Sequence, residues 1–398
     1  MQLRRSPVWA IRIGLSGLCA FAVLPAAESQ AAPTSLPSSL FSAGPPGASK
    51  PDDITLMNNR IYVTYQNNAP ADGSDPSAFS TIAELDLSGN VLQTINISGR
   101  VDGLSADPFN NRLIATINED NLSSLDVLTT SPSFVATPYT YSPNPATSPP
   151  SPAMGGTDSI AVANSGPNEQ IIVAHSNPND AAQSTDYSVS LSGNTATLTP
   201  LFRDNGPDAS GHAMAVTDPD SNTIVPAGNR AFANQFLQDS QGDGVLLLTP
   251  TPVTAASAPV QVKLFNSAGG LNNGKQPAVD DTAFTTASEG TLYVVDQGTG
   301  KIDALPTGGF PSGTAFTSQP ADATTGNVGA LNVVDLTTGR LTPLAVSFTS
   351  PKGLLFVPNQ PGPVVPETRT LVLLPLTGVA LGVLVLGRRR RRTTHASS

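Results

Sequence analysis

The chain has 398 residues, with 20 Lys or Arg against 30 Asp or Glu and a net charge of −10. So acidic a chain is excluded from binding nucleic acid by phosphate neutralisation, and its field attracts cations and repels anionic surfaces. Its one cysteine, Cys19, lies in the N-terminal apolar stretch, so the body of the chain has neither disulfides nor a nucleophilic thiol.

The N-terminus reads as an export signal. Arg4, Arg5 and Arg12 form a basic region, Ile13 to Leu24 is apolar, and Ser29-Gln30-Ala31 supplies small residues for cleavage. That layout predicts a signal peptide over 1–31, too short for a spanning helix. Residues 32–52, rich in Pro, Ser and Ala, are expected to be unstructured. Between 32 and 368 there are 11 Lys or Arg and 29 Asp or Glu, a net of −18 for the exported part.

Residues 53–359 lack helical periodicity. They are rich in short β-branched runs bounded by Gly, Asn, Asp and Pro, which predicts an all-β domain. Examples are Arg60 to Tyr65, Arg112 to Ile117, Gln170 to Ala174 and Thr291 to Val295. The runs repeat. Asp102 to Pro108 precedes Leu113-Ile114-Ala115, and His212 to Pro219 precedes Thr223-Ile224-Val225, so Asp107-Pro108 aligns on Asp218-Pro219. Looser copies start at Asp53, Asp158 and Asp281. Third and fourth strands follow as hairpins, around Asp86-Leu87-Ser88-Gly89 and Asp335-Leu336-Thr337-Thr338-Gly339. Repeats of this kind read as four-stranded propeller blades. Starts at 53, 102, 158, 212, 281 and about 312 predict six blades, with seven the alternative. Pro351 to Val357 is expected to be a closing strand returning to the first blade, and the seven prolines of 131–152 to mark an insertion late in the second.

This pattern resembles the broad superfamily of NHL, YVTN and gluconolactonase-type β-propellers, and also uncharacterised secreted bacterial propellers. The resemblance implies functional groups on one face, where inner strands start and second strands end. In gluconolactonase-type propellers a divalent metal sits at the channel mouth on carboxylate and amide side chains. By that likeness Asp53, Asp102, Asp158, Asp281 and Asn118 are candidate ligands for Ca²⁺, a hard cation that takes oxygen donors. The competing reading is that such aspartates close Asx turns with their own backbone. His175 and His212 are the candidate general bases for metal-assisted lactone or ester hydrolysis. Asp239 to Gly244 imitates half a calcium loop, but Pro250 stands where the final Glu ligand belongs, so a turn between strands is expected there. No Gly-x-Ser-x-Gly elbow, His-Glu-x-x-His helix or phosphate loop is present.

The C-terminus completes the address. Residues 360–370 read as a stiff stalk. Residues 371–387 form an apolar run of spanning length, and 388–398 a basic tail headed by Arg388, Arg389, Arg390, Arg391 and Arg392. With Pro366 and Glu367 before the apolar run, the segment resembles PEP-CTERM sorting signals, although Thr368 stands where those carry a second proline. Leu374-Pro375-Leu376-Thr377-Gly378 fits the Gram-positive sortase pentapeptide, but too short an apolar run follows it. The expectation is an exported, monomeric β-propeller, anchored to the membrane by its C-terminal helix or released by processing. It would act as a binding or structural surface module toward an envelope protein or polysaccharide; a metal-dependent lactonase or esterase is the alternative.

Overall fold

The computed structural model describes residues 36–143, 155–163, 166, 168–178, 183–322 and 326–359. The expected leader, the stalk beyond Asn359, the spanning helix, Pro366, Glu367 and Arg388 to Arg392 lie outside them. Among the described residues no helix is long and apolar enough to cross a membrane. They form strands and turns with a single 3-10 turn, Gln241–Asp243.

β1 (Ser39–Ser42) comes first, within the segment expected to be unstructured. Four antiparallel meanders follow. The first is β2 (Pro51–Met57), β3 (Arg60–Tyr65), β4 (Phe79–Leu85) and β5 (Val91–Ser98). The second is β6 (Val101–Asp107), β7 (Arg112–Ile117), β8 (Ser124–Thr129) and β9 (Val135–Ser142). The third is β10 (Thr157–Ala163), β11 (Gln170–His175), β12 (Asp186–Ser192) and β13 (Thr195–Pro200). The fourth is β14 (Pro219–Ile224), β15 (Gln235–Ser240), β16 (Val245–Pro250) and β17 (Val260–Lys263). A short parallel pairing of β9 with β13 joins the second and third into one eight-stranded sheet. Much of the expected insertion at 131–152 is therefore the outer strand β9.

The last third departs from the simple repeat. It contains β18 (Thr282–Phe284), β19 (Gly290–Asp296), β20 (Lys301–Pro306), β21 (Ala315–Gln319), β22 (Ala330–Asp335), β23 (Arg340–Pro343) and β24 (Pro351–Pro358). β18 pairs with β21, giving the order β18-β21-β22-β23. The intervening hairpin β19–β20 belongs to the next sheet, ordered β1-β20-β19-β24. The chain thus leaves one sheet, builds the middle of the next, and returns. The expected pairing of Thr291–Val295 with the strand at Asp281 is corrected, because β19 bonds to β24 instead. Residues near 312 lead into a second strand rather than an inner one, and β24 is the inner strand of its own sheet rather than an addition to the first.

Local chemistry explains the strands. β3, β7, β11 and β15 are second in their meanders and almost wholly buried, so they read as continuous apolar runs rather than alternating ones. Asn58 and Asn59, at φ 53° and 59°, make the two-residue turn joining β2 to β3. Gly89 and Gly339 sit at the hairpin tips read from the sequence, at φ 86° and 70°. A Cβ at either would run into the carbonyl of Phe41 or Lys263 on the neighbouring sheet's outer strand, so both positions require glycine twice over.

The core comes in six parts, each between two successive four-stranded units. Met57, Tyr62 and Ile82 pack on Leu104 and Leu113. Ile114 and Leu125 pack on Ile160 and Val173. Ala161 and Ile172 meet Phe236 and Leu247, and Leu237 and Leu248 meet Phe284 and Val334. Phe316 and Leu331 meet Leu292 and Phe356. Tyr293 and Ile302 return to Ile61 and Val63. The sixth interface closes the circle, and the inner strands β2, β6, β10, β14, β18 and β24 pack in that order around a central axis. The architecture is all-β and propeller-like.

Candidate functional site at the axial ring

Five of the six inner strands begin with the same device. In β2, β6, β10 and β14 the pairing with the second strand slips over two residues, between Pro51 and Ile54, Val101 and Leu104, Thr157 and Ile160, and Pro219 and Asn222. The β24 pairing slips over Lys352 and Gly353. The slipped pairs are Asp52-Asp53, Asp102-Gly103, Asp158-Ser159, Asp220-Ser221 and Lys352-Gly353; Asp280-Asp281 stands at the corresponding start of β18. Such bulges re-aim side chains. Here the first residue of each pair is aimed at the axis, and Asp52, Asp102, Asp158, Asp220 and Asp280 line one small central pocket.

The second residue of each pair stitches neighbouring strands. Asp53 accepts the N–H of Ile54 and that of Leu104 on the next inner strand, both at 2.6 Å. Asp281 does the same with Thr282 and Leu354, again at 2.6 Å. Ser159 donates its hydroxyl to the Asp220 carbonyl. Gly103 leaves no room for a side chain, since a Cβ would lie 2.8 Å from the Asp158 carbonyl oxygen.

The ring itself is cross-linked. Gln66 donates to Asp52 (2.8 Å) and Asp102 (3.1 Å), and Gln241 to Asp220 (2.6 Å) and Asp280 (3.1 Å). Gln297 donates to Asp52 at 3.1 Å. Arg100 lies 2.7 Å from Asp102 and 3.0 Å from Glu119. Lys352 supplies its ammonium to Asp280.

Crowding of buried carboxyls shows in their acidities. Burial pushes Asp52 up to about 7; Lys352 opposes this and Asp280 adds to it. Burial, then the charge of Glu119, holds Asp102 and Asp158 well above the usual carboxylate range, and burial with Asp280 does so for Asp220. Lys352 goes the other way. Burial would lower it, but Asp280, Asp220 and Asp52 outweigh burial and keep the ammonium charged.

Of the sequence-predicted ligands, then, Asp102 and Asp158 reach the ring. Asp53 and Asp281 are backbone stitches, the Asx-type role. Asn118 sits at φ 59°, accepts the Arg100 N–H at 2.9 Å and donates to the Leu122 carbonyl at 3.3 Å. Among the described residues no group of three or more His, Cys, Asp or Glu side chains is arranged to hold a metal ion. Amides, a guanidinium and an ammonium engage Asp52, Asp102, Asp220 and Asp280, so four of the five axial carboxyls are not free for Ca²⁺ as the ring stands, although Asp102 Oδ2 has no hydrogen-bond partner. Neither histidine lines the small central pocket. His175 is fully buried in β11, its ring 5.9 Å from that of Tyr187. His212 is 81% exposed on the connection before β14, not at an inner strand's start, and faces Asp208 at 3.9 Å. The half calcium loop is the β15–β16 turn, with Asp243 accepting from Ser240 (2.6 Å) and Thr217 (2.9 Å).

Sequence reasoning missed Asp52, Asp220, Asp280 and Lys352. The signal was present as six aligned tetrads: Pro51-Asp52-Asp53-Ile54, Val101-Asp102-Gly103-Leu104, Thr157-Asp158-Ser159-Ile160, Pro219-Asp220-Ser221-Asn222, Val279-Asp280-Asp281-Thr282 and Pro351-Lys352-Gly353-Leu354. Anchoring the repeat on Asp107-Pro108 and Asp218-Pro219 matched the end of one inner strand to the start of another and hid them. Beyond the ring the axis widens into a channel of about 320 Å³, walled by successive inner strands. Beside it a polar cleft of about 540 Å³ is lined by Asp218, Gln241 and Lys275.

No protein-family model matches the chain, and no curated protein matches it. Among solved structures it is similar to the periplasmic gluconolactonase of Pseudomonas aeruginosa, with 10% identity over 77% of this chain and 88% of that one and a TM-score of 0.45. A Bacteroides thetaiotaomicron protein of unknown function matches at 10% identity over 79% of this chain and 69% of that one, with a TM-score of 0.43. Virginiamycin B lyase from Staphylococcus aureus matches at 10% identity over 81% of each chain, with a TM-score of 0.39. No activity passes to this chain from likenesses so distant.

Proposed function

We propose that the protein is an exported β-propeller of six blades, tethered to the envelope by its C-terminal segment, whose ring face acts as a binding or structural surface. The blade count follows from reading the eight-stranded sheet as two meanders and the interleaved strands as two more sheets. The export and tether rest on the charged and apolar segments at the two ends. The observation that carries the choice against a hydrolase is the state of the ring. Gln66, Gln241, Arg100 and Lys352 engage four of its five carboxyls, Asp52, Asp102, Asp220 and Asp280, and His212 is 81% exposed on the connection before β14. A metal-assisted hydrolase needs an open metal position and a base within hydrogen-bond reach of the water it activates.

The test is a screen of lactones and aryl esters with the purified full chain, with calcium and with chelator, beside fractionation of producing cells. The expected result is background turnover in both conditions and recovery in the envelope fraction. Calcium-dependent hydrolysis that disappears in Asp102→Asn would establish the lactonase reading instead.

A further inference from the structure

Five of the six inner strands present an aspartate to the axis and the sixth presents Lys352. That exception stands on β24, the strand that completes the circle between β18 and β2. Its ammonium bonds Asp280 on the β18 side and feels Asp220 and Asp52 on either flank. Several carboxylates around one axis repel one another unless a cation sits among them, and an ion with no partner in a buried site costs more than a pair. A divalent ion would supply such a cation from solution; here the chain carries its own.

We propose that Lys352 is the built-in cation of the ring. Its ammonium draws the carboxylates of Asp280, Asp220 and Asp52 together, fixes the last inner strand against the first and fifth, and takes the place a divalent metal would need. The part of the ring around Asp280, Asp220 and Asp52 is then a latent divalent-cation site closed by the Lys352 ammonium, while Arg100 stays on Asp102. Removing the ammonium leaves Asp280, Asp220 and Asp52 facing one central pocket with no cation bonded to them, and oxygen donors are the chemistry calcium selects. This stands apart from the question of what the ring face binds.

The experiment is thermal unfolding of the purified full chain, followed by circular dichroism, with millimolar calcium chloride or with chelator. The wild-type midpoint is expected to be the same in both. Lys352→Gln is expected to melt about 5–10 °C lower in chelator, as for a broken buried ion pair in a chain of this size. Calcium should recover at least half of that loss. Should Lys352→Gln have no transition in chelator, its appearance in calcium is the supporting result. The double variant Lys352→Gln with Asp280→Asn, which removes both charges of the closest pair, should melt above the single variant in chelator. A wild-type midpoint that moves with calcium, a Lys352→Gln chain that melts like wild type, one that calcium does not help, or a double variant melting below the single would each overturn the proposal.

Discussion

At the scale of single residues, one position repeats with a telling exception. The second-strand residue facing each slipped pair is Thr64, Thr116 or Ser318 in three of the units, and its hydroxyl accepts the backbone N–H of Asp53, Gly103 or Asp281 at 2.8–3.1 Å. The residue there in β15 is Asp239, fully buried, with both carboxyl oxygens lacking a hydrogen-bond partner. Burial, then the charges of Asp280 and Asp281, holds its pKa well above the usual carboxylate range. Replacing it with the hydroxyl used elsewhere removes an unsatisfied polar group without opening a cavity. Asp239→Thr should therefore stabilise by about 1–2 kcal/mol, read as a rise in urea midpoint at unchanged slope. The ring and the backbone stitches beside it make a second prediction, through pH. Asp52 titrates near 7 in the fold, and Asp281 near 6 with burial its main cause, against 3.8 for an unperturbed aspartate. A carboxyl raised on folding holds its proton longer in the native state than in the unfolded one. Its contribution is complete below about 4 and disappears as pH passes through the folded value. The melting temperature should fall from about pH 4 to about pH 7, most steeply near 5 to 6; a flat or rising profile there would contradict the buried ring.

At the scale of elements, the sequence revealed what repeats locally and concealed what pairs over distance. The runs Arg60–Tyr65 and Arg112–Ile117, and the hairpins at Asp86 and Asp335, were legible because apolar residues and turn glycines announce them within ten residues. The interleaving of β18 and β21 around β19–β20 was not legible. All four strands carry the same apolar signal, and only the packing of Phe316 against Leu292 and Phe356 decides which neighbours which. β1 escaped notice for the opposite reason. Two of its four residues are exposed, and it is held by three pairs to β20 and by the contact of Phe41 with Tyr293 at 4.5 Å. Elements so lightly held open at low free energy. Hydrogen exchange should show the β20 amides facing β1 exchanging ~10-fold or more faster than the β19 amides facing β24. Phe41→Ala should widen the gap, because it removes the one aromatic contact that anchors the strand, while leaving β19 protection unchanged.

At the scale of the whole molecule, closure is what separates this arrangement from an open stack of repeats. In a linear solenoid the loss of a terminal unit removes one interface and the rest survives. Here each unit shares a core with both neighbours, and β24 belongs to the last interface on one side and the first on the other. Leu354 and Phe356 pack toward β18 and β21, Val357 toward the first meander, and Lys352 reaches the ring. Ending the chain after Ser350 would remove these together. It would strip one edge of β19 along its length, leave Asp281 without Leu354, and leave Asp280 facing other carboxylates with no cation. Each of these losses is worth about 1–4 kcal/mol, and together they equal or exceed the stability of an ordinary domain. Such a chain should show no cooperative melt by calorimetry, whereas one ending after Asn359 should melt in a single transition. Five surviving units that still melted cooperatively would mean that the interfaces act one at a time, and that the axial ring follows closure without contributing to it.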